Sequence, residues 1–131
     1  FFSMDLDGFK NVNDTLGHLE GDTLLQLVAR ELESCFRMDD IVGRLGGDEF
    51  IALMYGVSTR EIIERKAEEL CARIRSIRMA HLRYSGVSVS IGVAIAPEHG
   101  DSFEELYAKA DVALYHAKQG GRDRFVIYGG E

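Results

Sequence analysis

Asp5 and Asp7 close an apolar run, Phe1-Phe2-Ser3-Met4-Asp5-Leu6, and Asp48-Glu49 follow a glycine pair, Gly46-Gly47. Residues two apart on a strand face the same way, so Asp5 and Asp7 are equal candidates to act together. A glycine turn presents the next two carboxylates with little obstruction. Where the two segments are neighbours in a sheet, the acids converge and repel unless a cation sits between them. Hard oxygen ligands, few in number, suit Mg²⁺, which keeps waters and takes substrate phosphates. The plainer readings are structural. Asp-x-Asp-Gly is a common strand-to-turn sequence, and Gly-Gly-Asp-Glu an acceptable hairpin loop. Asn13 and Asp14 are turn formers, Asp22 a helix cap, and Lys118 and Arg122 cations favoured near a helix C-terminus.

The elements that must position these residues follow from pattern. Phe1–Leu6 reads as a strand with mixed faces, and Gly8–Gly17 as a polar turn or short helix. A helix from Gly21 to about Phe36 carries Leu24, Leu27, Val28, Leu32 and Phe36 at helical spacing, with Asp22 capping its start. Ile41–Leu45 and Phe50–Met54 form a hairpin around Gly46-Gly47-Asp48-Glu49. Ser58-x-x-Glu61 is a capping box opening a helix with Ile62, Ile63, Leu70 and Ile74 inward. Val87–Ala96 alternates Val/Ile with Ser88, Ser90, Gly92 and Ala94, and the small residues predict a helix packed closely over that face. Ser102-x-x-Glu105 opens a last helix with Leu106, Ala110, Ala113, Leu114 and Ala117, stopping at Gly120-Gly121, and Phe125–Tyr128 is a closing strand. One hairpin plus helical crossovers implies a mixed sheet covered by helices.

Length and composition set outer bounds. The chain has 131 residues, 46% apolar and 28% charged, as one soluble globular domain would. No apolar run approaches ~20 residues, so direct membrane insertion is not expected. Twenty-two acids against fifteen Lys+Arg leave a net charge of −7, which argues against a nucleic-acid binder. Six of those acids, Asp5, Asp7, Asp14, Asp22, Asp48 and Glu49, lie in the candidate segments. An anionic ligand held through a cation therefore stays open. The arginine run Arg73, Arg75, Arg78, Arg83 reads as a solvated helix end. Cys35 and Cys71 fit no ligand pattern and read as buried free thiols in a reducing, cytoplasmic setting.

Taken together, Asp5-Leu6-Asp7-Gly8-Phe9-Lys10-Asn11-Val12-Asn13-Asp14, Gly17-His18-x-x-Gly21-Asp22 and Gly46-Gly47-Asp48-Glu49-Phe50 resemble the GGDEF family of diguanylate cyclases. Ser90-Ile91-Gly92-Val93, Ala110-Asp111, Tyr115-x-Ala117-Lys118 and Gly121-Arg122 follow in the family's order. The resemblance covers almost the whole chain. It implies an α+β fold, a five-stranded mixed sheet surrounded by helices, similar to adenylyl cyclase and polymerase palm domains. It implies joining of two GTP into cyclic di-GMP with release of two pyrophosphates, in an antiparallel homodimer.

The roles implied are specific. Asp5, Asp48 and the Leu6 carbonyl would bind two Mg²⁺, with Mn²⁺ a substitute, and Asp7 would support from behind. Asp48 or Glu49 would assist deprotonation of the 3′-OH. Asn13 and Asp22 would read guanine, and a buried Asp22 would be left unpaired against ATP. Gly8, Phe9, Lys10, Lys118 and Arg122 would hold the β- and γ-phosphates, and Gly46 and Gly47 would let the backbone approach the nucleotide. Arg37-x-x-Asp40 would be the inhibitory site for the product. The arginine that the family often adds from the following helix is replaced by Glu69, with Arg65 and Arg73 a turn away. The family's upstream D-x-L-T-G-L-x-N-R segment is missing, so the expectation is a domain over 1–131 without its first piece, in a longer protein, membrane-anchored or not, with an upstream sensory or regulatory domain. The alternative implied is a non-catalytic GGDEF-like module that binds GTP or cyclic di-GMP and regulates a neighbour. Retention of Asp5, Gly46, Gly47, Asp48 and Glu49 favours the enzyme.

Overall fold

In β1 (Phe2–Asp7) the even residues are apolar and the odd ones small or acidic, and this alternation decides what lies on each side of the sheet. The structure, a computed structural model, describes residues 1–57, 59–77 and 87–129. The remaining elements are α1 (Phe9–Leu16), α2 (His18–Ser34), β2 (Ile41–Gly46), β3 (Glu49–Leu53), α3 (Arg60–Arg75), β4 (Ser88–Val93), α4 (Phe103–Gln119) and β5 (Arg124–Ile127). The five strands make one mixed sheet in the order β2-β3-β1-β4-β5, with only β4 and β5 parallel. The expected α+β architecture is present.

Phe2, Met4 and Leu6 pair in register with Val93, Ile91 and Val89 of β4, and Met4 also with Phe50 of β3. All are buried and join Leu24, Val28 and Leu32 of α2 and Leu70 and Ile74 of α3 in one apolar core. The other face carries Ser3, Asp5 and Asp7 opposite Gly92, Ser90 and Ser88. There α4 lies close. A Cβ on Gly92 would come within 2.0 Å of the Ala110 carbonyl oxygen and 2.3 Å of the Leu114 nitrogen. The close helix packing expected from the small residues of β4 is therefore realised, with Ala110, Ala113, Leu114 and Ala117 buried.

Several local expectations change. The polar Gly8–Gly17 segment is helix α1, with Val12 buried. Helix α2 begins at His18 after Gly17, whose φ of 92° suits glycine and breaks one helix into the next. Asp22 is consequently an exposed residue inside α2 and caps nothing, because the cap position is Gly17. Thr59 caps α3, its hydroxyl accepting from the Ile62 N–H at 3.3 Å; Ser58 lies outside the described residues, as do Arg78 and Arg83. Ile62 lies off the buried stripe of Ile63, Ala67, Leu70, Cys71 and Ile74 and is 42% exposed, not inward as expected. Ser102 caps α4 as expected, accepting from the Glu105 N–H at 3.2 Å. Strand β4 stops short of Ala96, because the Ile95 N–H donates to His99 Nδ1 at 2.8 Å instead of to a neighbouring strand. Cys35 and Cys71 are free and buried, as expected.

Candidate active site

Asp5 stands directly opposite Glu49 across β1 and β3, so sheet register brings the two acidic segments together. The Leu6 N–H donates to the Asp48 carbonyl at 3.2 Å and ties the hairpin tip to β1. At that tip Gly46 and Gly47 have φ of 156° and 52°, and no protein atom lies within 4 Å of a Cβ placed on either. Backbone conformation, not crowding, is what asks for glycine there. Arg44 pins the turn by donating Nε–H to the Gly47 carbonyl at 2.8 Å.

Asp48 is half-buried, and burial pushes its carboxyl above the usual carboxylate range, with the Asp5 charge adding to the effect and Lys118 opposing it. Lys118 Nζ is ion-paired with Asp5. Two mutually repelling carboxylates, one at the end of β1 and one at the hairpin tip, form an open oxygen donor set. Among the described residues no three His, Cys, Asp or Glu side chains gather as a closed cage. An open set fits Mg²⁺, which completes its octahedron with waters and phosphate oxygens.

Asp7 is not the equal of Asp5. Its carboxylate is buried and accepts from Ser88 Oγ at 2.6 Å, Ser90 Oγ at 2.7 Å and the Asp123 N–H at 3.1 Å, with the Arg122 guanidinium 3.7 Å away. With its lone pairs so occupied, it holds the turn after α4. In that turn Arg122 and Asp123 both take left-handed conformations, φ 64° and 48°, which cost about 1 kcal/mol or more each without such support. The Asp123 carboxylate in turn accepts from Arg75 Nε at 2.8 Å.

Beyond β1, Gly8 caps α1 without a side-chain bond, which leaves the first N–H groups of that helix available to an anion. Lys10, the second residue of α1, is exposed. Asn13 is half-buried and its amide rests on Gly21, where a Cβ would meet Asn13 Oδ1 at 1.8 Å. That contact brings Asn13 beside the backbone that carries Asp22. Asp22 itself is exposed, which removes the argument that a buried carboxylate enforces selectivity.

Arg37 and Asp40 lie at the open end of the β2–β3 hairpin, about 17 Å of strand away from the glycine tip. The Asp40 side chain is 2% exposed and accepts from the Arg37 N–H at 3.0 Å and the Tyr55 N–H at 3.2 Å. The Arg37 guanidinium donates to the Tyr55 carbonyl at 2.9 Å and is 71% exposed. Glu69 pairs with Lys66 at 2.9 Å, while Arg73 donates to Glu31 and Ser34 across to α2, and Arg65 pairs with Glu61.

Tyr107 went unnoticed in the sequence. Its hydroxyl donates to Glu49 Oε2 at 2.8 Å, and that bond to a carboxylate pushes the phenol up to about 12. The available signal was helical phase: Tyr107 lies eleven residues before Lys118, close to three turns.

Comparison with known proteins agrees with this geometry. A family profile described as "Diguanylate cyclase, GGDEF domain" matches residues 1–124. The chain is 40% identical over 125 residues to cyclic di-GMP phosphodiesterase PdeR of Escherichia coli, covering 95% of this chain and 19% of PdeR. It is 38% identical over 120 residues to diguanylate cyclase TpbB of Pseudomonas aeruginosa, covering 91% of this chain and 28% of TpbB. The chain thus spans between a seventh and a third of the curated relatives it matches. The crystal structure of the TpbB GGDEF domain superposes with a TM-score of 0.91 at 35% identity, covering 99% of this chain and 81% of that one. The GGDEF domain of DgcB from Caulobacter crescentus, in complex with c-di-GMP, superposes with a TM-score of 0.84 at 29% identity, covering 97% and 75%. Carboxylate pair, glycine tip, sheet order and sequence match all lead to one assignment: this chain belongs to the GGDEF family.

Proposed function

We propose that the chain is a catalytically competent diguanylate cyclase domain, condensing two GTP into cyclic di-GMP and two pyrophosphates. The observation that carries the reading is the Asp5–Asp48 pair under an open glycine tip, with Lys118 paired to Asp5. The family relatives are named both for synthesis and for hydrolysis of cyclic di-GMP, so the site must decide.

Asp5, Asp48 and the Leu6 carbonyl would hold Mg²⁺, which when bound neutralises charge developing on the attacking and leaving oxygens. The chain's own groups do the rest. Gly8 and Phe9 amides at the start of α1, with the Lys10, Lys118 and Arg122 side chains, hold the β- and γ-phosphates. Asn13 and Asp22 take the guanine edge. Gly46 and Gly47 let the tip lie against the nucleotide. Glu49 Oε1 or an Asp48 oxygen accepts the 3′-OH proton as that oxygen bonds the α-phosphorus of the second GTP and pyrophosphate leaves. One chain offers one such site, so two chains meet face to face for turnover. Among the described residues no helix is long and apolar enough to cross a membrane, and a cytoplasmic setting in a longer, regulated protein belongs to the same proposal.

The direct test is incubation with GTP and Mg²⁺ at high protein concentration, followed by product identification. Cyclic di-GMP supports the reading; GTP bound but never converted would instead support a regulatory binding module.

Asp22→Ala should reduce the preference for GTP over ATP by about tenfold, the low end for a hydrogen bond to a charged group, because Asp22 is exposed. Competition binding measures it, and unchanged selectivity refutes the guanine assignment. Arg37→Ala should raise the cyclic di-GMP concentration needed for half-inhibition at least about tenfold, since the guanidinium is the exposed half of the motif. An identical inhibition curve would show that Arg37 only braces Tyr55.

A further inference from the structure

Asp5 and Glu49 are direct cross-strand partners of like charge, an arrangement that destabilises a sheet unless each finds a donor. Both donors come from α4. Lys118 takes Asp5, and Tyr107 takes Glu49. Spaced eleven residues apart, they lie on nearly one line along the helix and reach toward the acids from either side.

The two donors differ in kind. Lys118 is a flexible cation that the phosphates also claim. Tyr107 is a neutral donor on a fixed ring: its centroid lies 5.9 Å from Phe1 and 5.8 Å from Phe103, and those two rings meet edge-on at 5.4 Å. Glu49 is the opposite case. It is the first residue of β3, directly after the glycine tip, and has three rotatable side-chain bonds. The tyrosine hydroxyl is what gives it a defined direction.

We propose that Tyr107 is a positioning residue for Glu49, holding Oε2 so that Oε1 alone faces the reacting nucleotide. The inference rests on the reading of Glu49 as part of the reacting site. It adds a residue that the motif segments do not contain, and it distinguishes the two acids of the tip. Glu49 is oriented by a protein donor, whereas Asp48 sits beside Asp5 and shares its charge.

Tyr107→Phe in this chain is the test, since it removes one oxygen and keeps the ring cluster. The expected result is a kcat about tenfold lower with the GTP dissociation constant unchanged, and only a small drop in melting temperature from the lost donor to Glu49. A second readout needs no turnover. In protein carrying labelled glutamate, the Glu49 side-chain carboxyl resonance, assigned through Glu49→Gln, should move toward a rotamer-averaged position in Tyr107→Phe. Glu49→Gln also separates the failures. If Glu49→Gln turns over normally, the reading of Glu49 falls. If Glu49→Gln is impaired while Tyr107→Phe keeps normal kcat and an unmoved Glu49 resonance, the positioning role alone falls. A joint drop in GTP affinity and melting temperature would make Tyr107 a strut and overturn the proposal as well.

Discussion

Asp48→Ala is expected to cut cyclic di-GMP formation by at least about a thousandfold while the chain stays folded. The separation follows from how Asp48 is used. Its structural bond runs through the backbone, where its carbonyl accepts from the Leu6 N–H, and alanine keeps that bond. Its carboxylate is a liability to folding. Burial and the Asp5 charge raise its folded pKa, so the ionised form weakens stability as pH rises through that value. Removing the carboxylate should leave the melting temperature at neutral pH unchanged or higher. A group that disfavours the fold and faces a second acid is what a cation site requires. Product analysis with a parallel thermal melt checks both halves; wild-type rates from the variant would end the metal assignment.

Gly92→Ala should be the most damaging single methyl in the domain, costing about 3 kcal/mol of stability. The added carbon would sit 2.0 Å from the Ala110 oxygen and 2.3 Å from the Leu114 nitrogen, and neither is a side chain that can swing away. Helix α4 must move bodily. It carries Tyr107 and Lys118, so a shift of about 1 Å also costs on the order of a hundredfold in turnover. Gly43→Ala on β2 is the control, since nothing lies within 4 Å of the added carbon. Denaturant melts and initial rates of the two variants should diverge; equal behaviour would mean that α4 is not held as described.

The same contact shows what the sequence can and cannot reveal. Small residues alternating with Val and Ile along Ser88–Val93 predict a helix lying close, and that inference needs no knowledge of which helix. The partner of each serine is another matter. Alternation makes Asp5 and Asp7 equivalent, and only the pairing of β1 with β4 shows that Ser88 and Ser90 engage Asp7. Helical phase puts Tyr107 on the line of Lys118, but its acceptor, 58 residues away in the chain, is hidden for the same reason. The error at Asp22 was local. An acid near a helix start looks like a cap, but α1 and α2 are divided by the backbone of Gly17, which has no side chain to announce the boundary. The residues singled out by the family motifs gather at one end of the sheet for Asp5, Asp48, Glu49, Lys118 and Arg122, with Arg37 and Asp40 at the far end of the hairpin.

The alternation in β1 has a practical corollary for mutagenesis. The side chains of Phe2, Met4 and Leu6 join the apolar core, while Asp5 pairs with Lys118 and Asp7 with the serines of β4 and the turn after α4. Changes at Phe2, Met4 and Leu6 should therefore move the melting curve, changes at Asp5 the kinetics, and changes at Asp7, which holds the turn after α4, both, so a short scan of one strand separates packing from chemistry.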